Sequence, residues 1–407
     1  MLIRDVKFYI QPDGTRRRSV ANGGMGTIEK VPPGLSGLFT HSGGFRDGSI
    51  RIDEDLIDPG ALCLEYSAAG ESPHFKSTIR LVTDGDFDAY AGFGSGFHAD
   101  DLEWAAKEFK VRLAPMLLGV DAFDREFIWQ RLWYAQRFFY TGRGVVDMVD
   151  RMLWNLASRY ACMPIYKLLG ASRERVPAYR NIGGDTIDDL VASALKVKAD
   201  GFVGCKDHSY RGVRGNTQLG TELRRALGED FILLHDPVES YTCMEAIQIG
   251  RQLEKLNYTW IEEPLQDYDI MGLKKLCDAL DLPVLTLEWI GAIGGQPFNT
   301  APYLALGAAD IVRQRGVGIT GSVKQAQLAE SFGVRVHGGD PHTILANSND
   351  PIFEAAGGGL APRPADDELD CLGTTVVEDG WMSIAWKPVR PPEPDWDEIE
   401  RTSVAVV

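Results

Sequence analysis

Short apolar runs alternate with segments of helical periodicity from residue 176 to residue 339. The seven runs are VPAYRNIGG (176–184), GFVGCKDH (201–208), FILLHD (231–236), YTWIEE (258–263), PVLTLE (283–288), ADIVRQR (309–315) and GVRVHGG (333–339). Between them lie segments such as 241–257, where apolar side chains recur at helical spacing at Met244, Ile247, Ile249, Leu253 and Leu256. Strands that alternate with helices pair in parallel through crossover connections. Seven or eight such units in about 200 residues predict a (β/α) barrel rather than an open doubly wound sheet. A doubly wound sheet would favour a GxGxxG after its first strand, and the sequence has none there.

The chain before residue 176 has a different pattern. Residues 21–49 are rich in Gly, Pro and Ser, which is typical of long loops. Residues 79–96 predict strands around turns, residues 100–119 predict a helix, and a second helical block covers about 122–170. The beginning of the chain is therefore predicted to form an α+β domain.

These patterns divide the chain into three parts. We predict an α+β capping domain over residues 1–125, the barrel over residues 126–355, and a C-terminal segment over residues 356–407 that returns onto the cap. A chain of 407 residues, of which 44% are hydrophobic, can bury a large core. The tail is irregular and rich in proline, as in PVRPPEPDWDEIE (388–400).

The charge of the chain restricts its partners. A formal net charge of -16 and a pI near 4.9 argue against nucleic acid or an anionic membrane as the main partner. The sequence has no apolar stretch of ~18 residues that would span a membrane, and the N-terminal residues lack the apolar core of a signal peptide. The six cysteines are scattered and form no CxxC. We expect a cytoplasmic protein that acts on a small molecule.

Three of the apolar runs end on a carboxylate. Asp236 ends FILLHD, Glu262 ends YTWIE and Glu288 ends PVLTLE, and 26 residues separate each from the next. One βα unit has about this length, so three consecutive strands would each place an acid at the C-terminal mouth of a barrel, where barrel enzymes carry out their chemistry. Three carboxylates that converge there suit Mg²⁺. The alternative is that three unrelated acids cap the helices that follow them. Glu263 is expected to support the ligands rather than bind the metal.

One strand before these acids, the run GCKDHSY places a lysine and a histidine two residues apart. Residues at i and i+2 of a strand point to the same face, so Lys206 and His208 would face the same space. A lysine near a divalent cation has a destabilised ammonium group and can act as a base, and a histidine can do so near neutral pH. The alternative for both residues is a solvated strand end.

The run GVRVHGGDPH offers two further histidines on the far side of the barrel. His337 closes an apolar run and is a candidate acid or base on the opposite face of the substrate. His342 lies in the loop that follows, where it would bind substrate or be solvated. Asp340 could orient either ring.

At these residues the chain resembles the enolase superfamily, in its mandelate racemase-like branch. The similarity covers roughly residues 1–380 and is carried by LLHDPVESYT, WIEEPLQD and LTLEWIGAIGG, with Lys206-Asp207-His208 at the family's KxK position. The resemblance implies a modified (β/α)₇β barrel with a capping domain, and abstraction of the proton α to a carboxylate. It also implies that Mg²⁺ binds the substrate carboxylate and stabilises the enediolate. The implied ligands of Mg²⁺ are Asp236, Glu262 and Glu288.

Two positions depart from the pattern of this branch. His208 stands where the second lysine of KxK would be, and Arg315 stands where racemases of the branch carry an Asp that pairs with the seventh-strand His. We therefore expect His337 to lack its usual orienting carboxylate. Arg313 or Arg315 would instead bind a substrate carboxylate or hydroxyl, or would lie on the surface.

The missing Asp–His pair bears on the reaction. A racemase needs a strong base on each face of the α-carbon, whereas elimination of water needs one base and one acid. The resemblance therefore favours an acid-sugar dehydratase that forms a 2-keto-3-deoxy sugar acid, with Lys206 or His208 as the base and His337 as the acid. The polar N-terminal loops suit a polyol substrate. Candidate contacts to its distal end are His41, Arg46 and the TRRRS run (15–19).

Other functions are open at this point. A racemase or epimerase of a hydroxy acid or acid sugar would use the same metal and base. A non-catalytic sugar-acid binding protein would keep the metal without turnover, but the three ligands and the lysine are all present. A metal-dependent hydrolase on the same barrel would usually show an HxH near the first strand, and AYRNIGG has none. Barrels of this type commonly assemble, so we expect a homo-oligomer.

Overall fold

The computed structural model describes residues 1–17, 71–97, 99–139, 144–288, 298–315, 318–355 and 360–407. The predicted substrate contacts His41 and Arg46, and the predicted loops over residues 21–49, lie outside the described residues. The described chain forms an antiparallel sheet with helices, then a parallel barrel, then a C-terminal segment that contacts both.

The first three strands form an antiparallel sheet, which we call the cap sheet. Its strands are β1 Ile3–Arg17, β2 Glu71–Thr83 and β3 Ala89–Phe97. Apolar side chains such as Phe8, Ile79 and Leu81 are fully buried against helices. Asp88 closes the turn between β2 and β3, because its carboxylate accepts a 2.8 Å hydrogen bond from the Thr83 N–H.

Helices that follow the cap sheet complete its core. In the described residues they are α1 Ala99–Arg112, α2 Ala114–Leu117, α3 Arg125–Phe139, α4 Gly144–Ala161 and α5 Ile165–Leu168. Trp129 of α3 and Leu153 of α4 pack in one apolar cluster with Phe8 of β1 and Phe109 of α1. The predicted boundary at residue 125 therefore differs from the structure. It assigns α3 and α4 to the barrel, whereas their apolar faces belong to the core of the cap.

Eight parallel strands among the described residues form the barrel. They are β4 Arg175–Ile182, β5 Gly204–Asp207, β6 Ile232–His235, β7 Trp260–Glu262, β8 Val284–Thr286, β9 Ile311–Gln314, β10 Arg335–Gly338 and β11 Phe353–Glu354. Consecutive strands pair from β4 to β10, and β11 pairs with β4. Each of the seven apolar runs overlaps one strand, and β11 is the eighth. The predicted parallel arrangement is confirmed.

Helices of the described chain connect these strands. They are α6 Ile187–Ala199, α7 Gly212–Leu227, α8 Cys243–Lys255, α9 Ile270–Ala279, α10 Thr300–Leu306, α11 Gly318–Ser331 and α12 Pro341–Ala346. A capping box between Thr242 and Glu245 satisfies free N–H groups at the start of α8. Ile249 and Leu253 lie on the buried face of α8 as predicted, but Met244 is 56% exposed. Met244 was predicted wrongly because the buried stripe begins two residues later.

The C-terminal segment contacts both parts of the molecule. β12 Thr374–Glu378 and β13 Trp381–Ala385 form a hairpin that pairs antiparallel with the start of β4. α13 Trp396–Thr402 and β14 Ala405–Val406 lie on the cap, where β14 pairs with β1 and Trp396 stacks on Tyr9. None of the helices in the described ranges is long and apolar enough to cross a membrane.

Candidate active site

The carboxyl ends of the barrel strands, which we call the mouth, bring a lysine and two acids together. Lys206 Nζ lies 3.1 Å from Asp236 Oδ2 and 3.3 Å from Glu262 Oε2. All three side chains are buried. Because alternate residues of a strand face opposite sides, Lys206 points into the barrel while its neighbour Asp207 points outward. The predicted base is therefore adjacent to two of the predicted metal ligands.

The third predicted ligand, Glu288, follows the next strand. Its Oε1 is 2.5 Å from Nη2 of Arg315, and its Oε2 is 3.0 Å from Nε of Arg313. The Arg315 side chain is 48% exposed, so Arg315 lies at the rim of the mouth. The position where the family pattern has an acid thus holds a cation that pairs with a predicted metal ligand.

A buried arginine and a fourth acid complete the charged cluster in the mouth. Arg313 Nη2 is 2.6 Å from Glu354 Oε2, and Arg313 Nη1 is 3.4 Å from Glu262 Oε1. Glu354 Oε1 is 3.0 Å from Lys206 Nζ and accepts a 3.1 Å hydrogen bond from Asn181 Nδ2. Glu354 was not predicted from the sequence. It ends the run PIFE in the same way as the other acids end theirs, but a two-residue strand is too short to show a period.

The charges in the mouth stabilise one another. Burial alone would lower the pKa of Lys206, but the negative charges of Glu262 and Glu354 outweigh burial and raise this pKa well above its usual value. Burial alone would raise the pKa of Glu354, but Lys206 and Arg313 hold it well below its usual range. To act as a base, Lys206 requires part of the surrounding negative charge to be taken up by another cation.

The backbone turns sharply after each of the three acid-bearing strands. Non-glycine residues with a positive φ angle are found there at Val238 (48°), Glu239 (54°), Glu263 (43°) and Leu287 (80°). Backbone strain of this kind clusters at functional sites. The Glu239 N–H donates a 2.6 Å hydrogen bond to the Glu263 carbonyl and so ties two of these turns together. The strained turns support the assignment of the mouth as the functional site.

The acids of the mouth have the donor chemistry of a magnesium site. Asp236, Glu262 and Glu288 provide carboxylate oxygens from three adjacent strand ends, and Mg²⁺ prefers such ligands. Burial raises the pKa of Asp236. Burial, followed by the charges of Glu288 and Asp236, raises the pKa of Glu263 well above its usual value. Burial is the largest cause of both shifts, and a bound cation would offset part of its cost.

The same acids are engaged by side-chain cations. Within the described ranges, no three His, Cys, Asp or Glu side chains are already grouped as metal ligands. Instead, Lys206, Arg313 and Arg315 contact the carboxylates. The residues fit Mg²⁺ by their chemistry, and binding would require some of these ion pairs to give way.

His208 and His235 lie on opposite sides of the same two strand ends. His208 Nε2 is 3.3 Å from Asp236 Oδ2 on the side of the mouth, and the side chain is 26% exposed. His235 is buried outside the barrel, with Nδ1 2.9 Å from Asp207 Oδ2 and Nε2 3.2 Å from the Tyr241 hydroxyl. This outer pair was not predicted from the sequence, although the two-residue period of the strands places Asp207 and His235 side by side on β5 and β6. The pair joins the ends of β5 and β6 directly behind the residues of the mouth.

His337 lies in the interior of the barrel. Its Nε2 is 2.9 Å from the Tyr179 hydroxyl, its Nδ1 is 3.4 Å from Asp350 Oδ1, and the residue is 1% exposed. The expectation that His337 lacks a carboxylate partner is wrong, since Asp350 provides one from the segment before β11. Among the described residues, no hydrogen bond or ion pair joins His337 to Lys206 or His208. His337 pairs in register with Arg313 of β9, so the structure brings it beside the charged cluster of the mouth. Of the three predicted acid–base residues, Lys206 and His208 contact Asp236 directly.

A cavity of about 540 Å³ lies at the opposite end of the barrel from the mouth. Apolar residues at or next to the amino ends of the strands line it, namely Pro177, Ile232, Trp260, Pro283, Ile311 and Ile352. His337 reaches this cavity as well. The Trp260 indole lies between the two ends, because its Nε1–H donates a 3.2 Å hydrogen bond to Glu262 Oε2.

The two remaining predicted residues lie beside the cap. Asp340 forms an ion pair with Arg151 of α4 and accepts a 2.9 Å hydrogen bond from the Thr343 N–H at the start of α12. The His342 ring stacks on Tyr166 with 6.3 Å between centroids, and burial lowers the pKa of His342. Asp340 hydrogen-bonds to neither histidine in the described chain. The expectation that it orients one of them is therefore corrected, and its carboxylate instead joins the barrel to the cap.

A family model described as Enolase C-terminal domain-like matches residues 189–384. This range includes the strands that carry Lys206 and the three predicted metal ligands. It begins in α6 and extends almost to the end of the C-terminal hairpin.

Curated relatives match between 49% and 71% of the chain. L-talarate/galactarate dehydratase of Salmonella typhimurium is 32% identical over 232 residues, which are 54% of this chain and 57% of the relative. Arabinonate dehydratase of Saccharolobus solfataricus is 30% identical, over 49% of this chain and 56% of the relative. A 3,6-anhydro-alpha-L-galactonate cycloisomerase of Streptomyces coelicolor is 35% identical over 71% of this chain and 81% of the relative. The chain thus spans little more than half the length of the first two relatives.

Solved structures share the fold over most or all of the chain. D-glucarate dehydratase from Agrobacterium tumefaciens, complexed with magnesium, has a TM-score of 0.72 and 24% identity and covers 100% of both chains. L-talarate dehydratase from Polaromonas sp. JS666, complexed with Mg and L-glucarate, has a TM-score of 0.66 and 23% identity, over 83% of this chain and 94% of that chain. At these identities the likeness shows the fold alone. It confirms the predicted α/β barrel.

Proposed function

The chain belongs to the enolase superfamily, and on this basis we propose that it is a Mg²⁺-dependent hydro-lyase that removes water from an acid sugar and releases a 2-keto-3-deoxy sugar acid. The observation that carries the proposal is the position of Lys206, whose Nζ is 3.1 Å from Asp236 and 3.3 Å from Glu262. Abstraction of a proton α to a carboxylate needs a base beside a site of concentrated positive charge. The dehydratases of talarate, galactarate and arabinonate among the relatives support the substrate class.

Asp236, Glu262 and Glu288 would hold the Mg²⁺. Bound there, the ion would neutralise the substrate carboxylate and stabilise the charge that develops on its oxygens. The convergence of these carboxylates at the ends of three adjacent strands supports a cation at this position.

Lys206 is the proposed base. Glu262 and Glu354 raise the pKa of Lys206 well above its usual value, and Mg²⁺ bound to Glu262 would offset part of this effect and so favour the neutral amine. The neutral amine then takes the proton from the α-carbon, and the electron pair of that C–H bond moves toward the substrate carboxylate. Burial of Nζ restricts competing proton transfer to water.

The departing hydroxyl needs a proton as the C–O bond breaks, and we assign this role to His208. Its ring reaches the mouth directly, 3.3 Å from Asp236 Oδ2. His337, the acid expected from the family pattern, is 1% exposed and hydrogen-bonded to the Tyr179 hydroxyl at 2.9 Å, whereas the His208 side chain is 26% exposed. A proton given by His208 and a hydroxyl given by the substrate leave together as water.

We also propose a contact between the chain and the rest of the sugar acid. Arg315 lies at the rim and would bind a hydroxyl or the distal carboxylate of the sugar acid while it remains paired with Glu288. His41, Arg46 and His342 stay predictions, as does assembly into a homo-oligomer.

Epimerisation of an acid sugar is the second candidate. One observation favours it: Asp350 gives His337 a carboxylate partner at 3.4 Å, and a second base on the other face of the α-carbon needs such a partner. This candidate requires His337 to reach the substrate, which places it second.

Incubation of the purified protein with Mg²⁺ and a library of mono- and diacid sugars tests the proposal, with 2-keto acid as the readout. We expect keto acid from at least one sugar acid, and none after Glu262→Gln, which removes a predicted ligand charge. Exchange of the α-proton with deuterated solvent without keto acid would establish epimerisation instead. Binding without either reaction would identify a sugar-acid binding protein.

A further inference from the structure

Arg313 contacts the same acids that would bind Mg²⁺. Its guanidinium lies 3.0 Å from Glu288 and 3.4 Å from Glu262, which are two of the three proposed ligands. Its third contact is Glu354, at 2.6 Å. The Arg313 side chain is 4% exposed, whereas that of Arg315 is 48% exposed. Arg313 is thus enclosed by carboxylates and has little surface left to meet a substrate.

The cluster needs this arginine for electrical balance. The mouth contains four acids that share three cationic partners. The acids are Asp236, Glu262, Glu288 and Glu354, and the cations are Lys206, Arg313 and Arg315. A buried carboxylate without a partner is strongly destabilising. An arginine stays charged under all conditions that a folded protein meets, so its charge cannot be lost by deprotonation.

The three contacts of Arg313 differ in length. The bond from Nη2 to Glu354 is the shortest, and Glu354 is not one of the proposed ligands. The contacts to Glu288 and Glu262 are longer. A planar guanidinium can therefore keep its bond to Glu354 while it releases oxygens of Glu262 and Glu288.

We propose that Arg313 is a built-in counter-cation for the metal-ligand carboxylates. It holds Glu262 and Glu288 in place when a divalent ion does not, and it competes with Mg²⁺ for their oxygens. Arg313 thereby stabilises the chain without metal and lowers its affinity for Mg²⁺. This inference rests on the proposed function, because it requires that Mg²⁺ binds at these acids. Arg313 acts through the ligands and is a positioning residue.

Arg313→Gln tests the proposal through binding and stability rather than activity. We expect the Mg²⁺ dissociation constant, measured by titration calorimetry, to fall on the order of tenfold, because one charged competitor is removed. We also expect the melting temperature to drop more in EDTA than in saturating Mg²⁺, since bound metal replaces the missing charge. Arg313→Lys keeps the charge without the planar fork, and its dissociation constant should lie between those of the other two proteins.

Arg224→Gln is the matched control. Arg224 is also buried, but its guanidinium donates to the backbone carbonyls of Leu256, Phe231 and Asn257. Its loss should lower the melting temperature equally with and without Mg²⁺. It should leave the Mg²⁺ dissociation constant unchanged.

The outcomes separate this proposal from the proposed function. An equal drop in melting temperature in EDTA and in Mg²⁺, or a dissociation constant that is unchanged or higher in Arg313→Gln, would overturn the role of Arg313. If the natural chain does not bind Mg²⁺ but Arg313→Gln does, the competition between Arg313 and Mg²⁺ is supported and the proposed Mg²⁺-dependent function is contradicted. If neither binds Mg²⁺, both are overturned. If Arg313→Gln folds in Mg²⁺ but not in EDTA, the proposal is supported. If Arg313→Gln folds in neither EDTA nor Mg²⁺, Arg313→Lys provides the test. A Mg²⁺ dissociation constant of Arg313→Lys equal to that of the natural chain would then overturn the proposal.

Discussion

The interior of the barrel has two layers of contrasting chemistry on the same strands. The lower layer is a buried cluster of Tyr179, Leu234, Trp260, Leu285, Ile311 and Ile352. The upper layer begins two residues further along, where Leu234 gives way to Asp236, Trp260 to Glu262, Ile311 to Arg313 and Ile352 to Glu354. Because alternate residues of a strand point to the same side, one register positions both layers.

The comparison shows how a barrel can separate stability from chemistry. Apolar side chains of the lower layer stabilise the fold by leaving water, without regard to the exact partner. Charged side chains of the upper layer are stable only in the presence of one another. Substitutions in the lower layer should therefore change mainly the free energy of unfolding, whereas substitutions in the upper layer should also change metal binding and turnover.

Lys206→Ala should have the largest effect on the upper layer. Without the base, we expect α-proton exchange and keto acid formation to fall about 10²–10⁴-fold, while circular dichroism shows a folded protein. Lys198→Ala is a suitable control, because Lys198 Nζ donates to the Leu227 carbonyl outside the barrel. Unchanged α-proton exchange in Lys206→Ala would show that another residue is the base. It would also contradict the assignment of the chemistry to the upper layer.

Trp260 lies where the layers meet, so two substitutions can separate its roles. Trp260→Ala opens a void in the lower layer and should lower the free energy of unfolding by about 3–5 kcal/mol. Trp260→Phe keeps a ring but removes the Nε1–H that donates to Glu262 Oε2 at 3.2 Å. It should lower the free energy of unfolding by only about 1 kcal/mol and weaken Mg²⁺ binding severalfold. Denaturant titration and calorimetry measure both, and equal Mg²⁺ affinity in Trp260→Phe and the natural chain would show that the layers are independent.

The sequence predicted one side of the mouth well. Asp236, Glu262 and Lys206 each stand at the end of an apolar run, and the regular spacing of the runs brings parallel strand ends together. The other side depends on contacts that no local pattern contains. Glu354 follows a strand of two residues, and Asp350 reaches His337 from a loop.

The boundary predicted at residue 125 also depends on contacts that no local pattern contains. Helical periodicity predicted that α3 and α4 exist, but it does not tell which of two cores an apolar face will meet. In the structure both helices pack on the cap sheet, and α4 also contacts α11 through Asp150 and Thr320.

Asp150 shows what a buried acid does with weaker compensation than the mouth provides. Its carboxylate accepts hydrogen bonds from the Thr320 hydroxyl (2.6 Å) and N–H (2.9 Å), and burial raises its pKa to about 7. The pKa of Glu354, which faces two cations, is instead held well below its usual range. The shifts of these two buried acids are opposite because adjacent cations compensate the burial of Glu354 more strongly than they compensate that of Asp150.

The shift of Asp150 predicts a pH dependence. The pKa of Asp150 in the folded protein lies above its unfolded value of about 3.9, so folding favours the protonated acid. The contribution of Asp150 to stability is fully present below that unfolded value. This stabilisation is lost as the pH rises to about 7. Asp150→Asn should therefore flatten the fall in melting temperature between about pH 4 and pH 7. Asp188→Asn, an exposed acid in the first turn of α6, should leave that fall unchanged. An identical pH profile in Asp150→Asn would mean that the acid is ionised in the folded protein.

Arg315→Ala should have the smallest effect and sharpens the comparison at the rim. Arg315 is half exposed, and an exposed ion pair such as its contact with Glu288 contributes little to stability, so the free energy of unfolding should change by less than about 1 kcal/mol. If Arg315 binds the sugar acid in the ground state and the transition state alike, KM rises and kcat stays the same. A fall in kcat with constant KM would show that Arg315 acts through Glu288 on the metal site, and the rim would then belong to the upper layer. Unchanged KM and kcat would show that Arg315 is a surface charge without a role in the reaction. Arg313 would then be the outermost functional residue of β9.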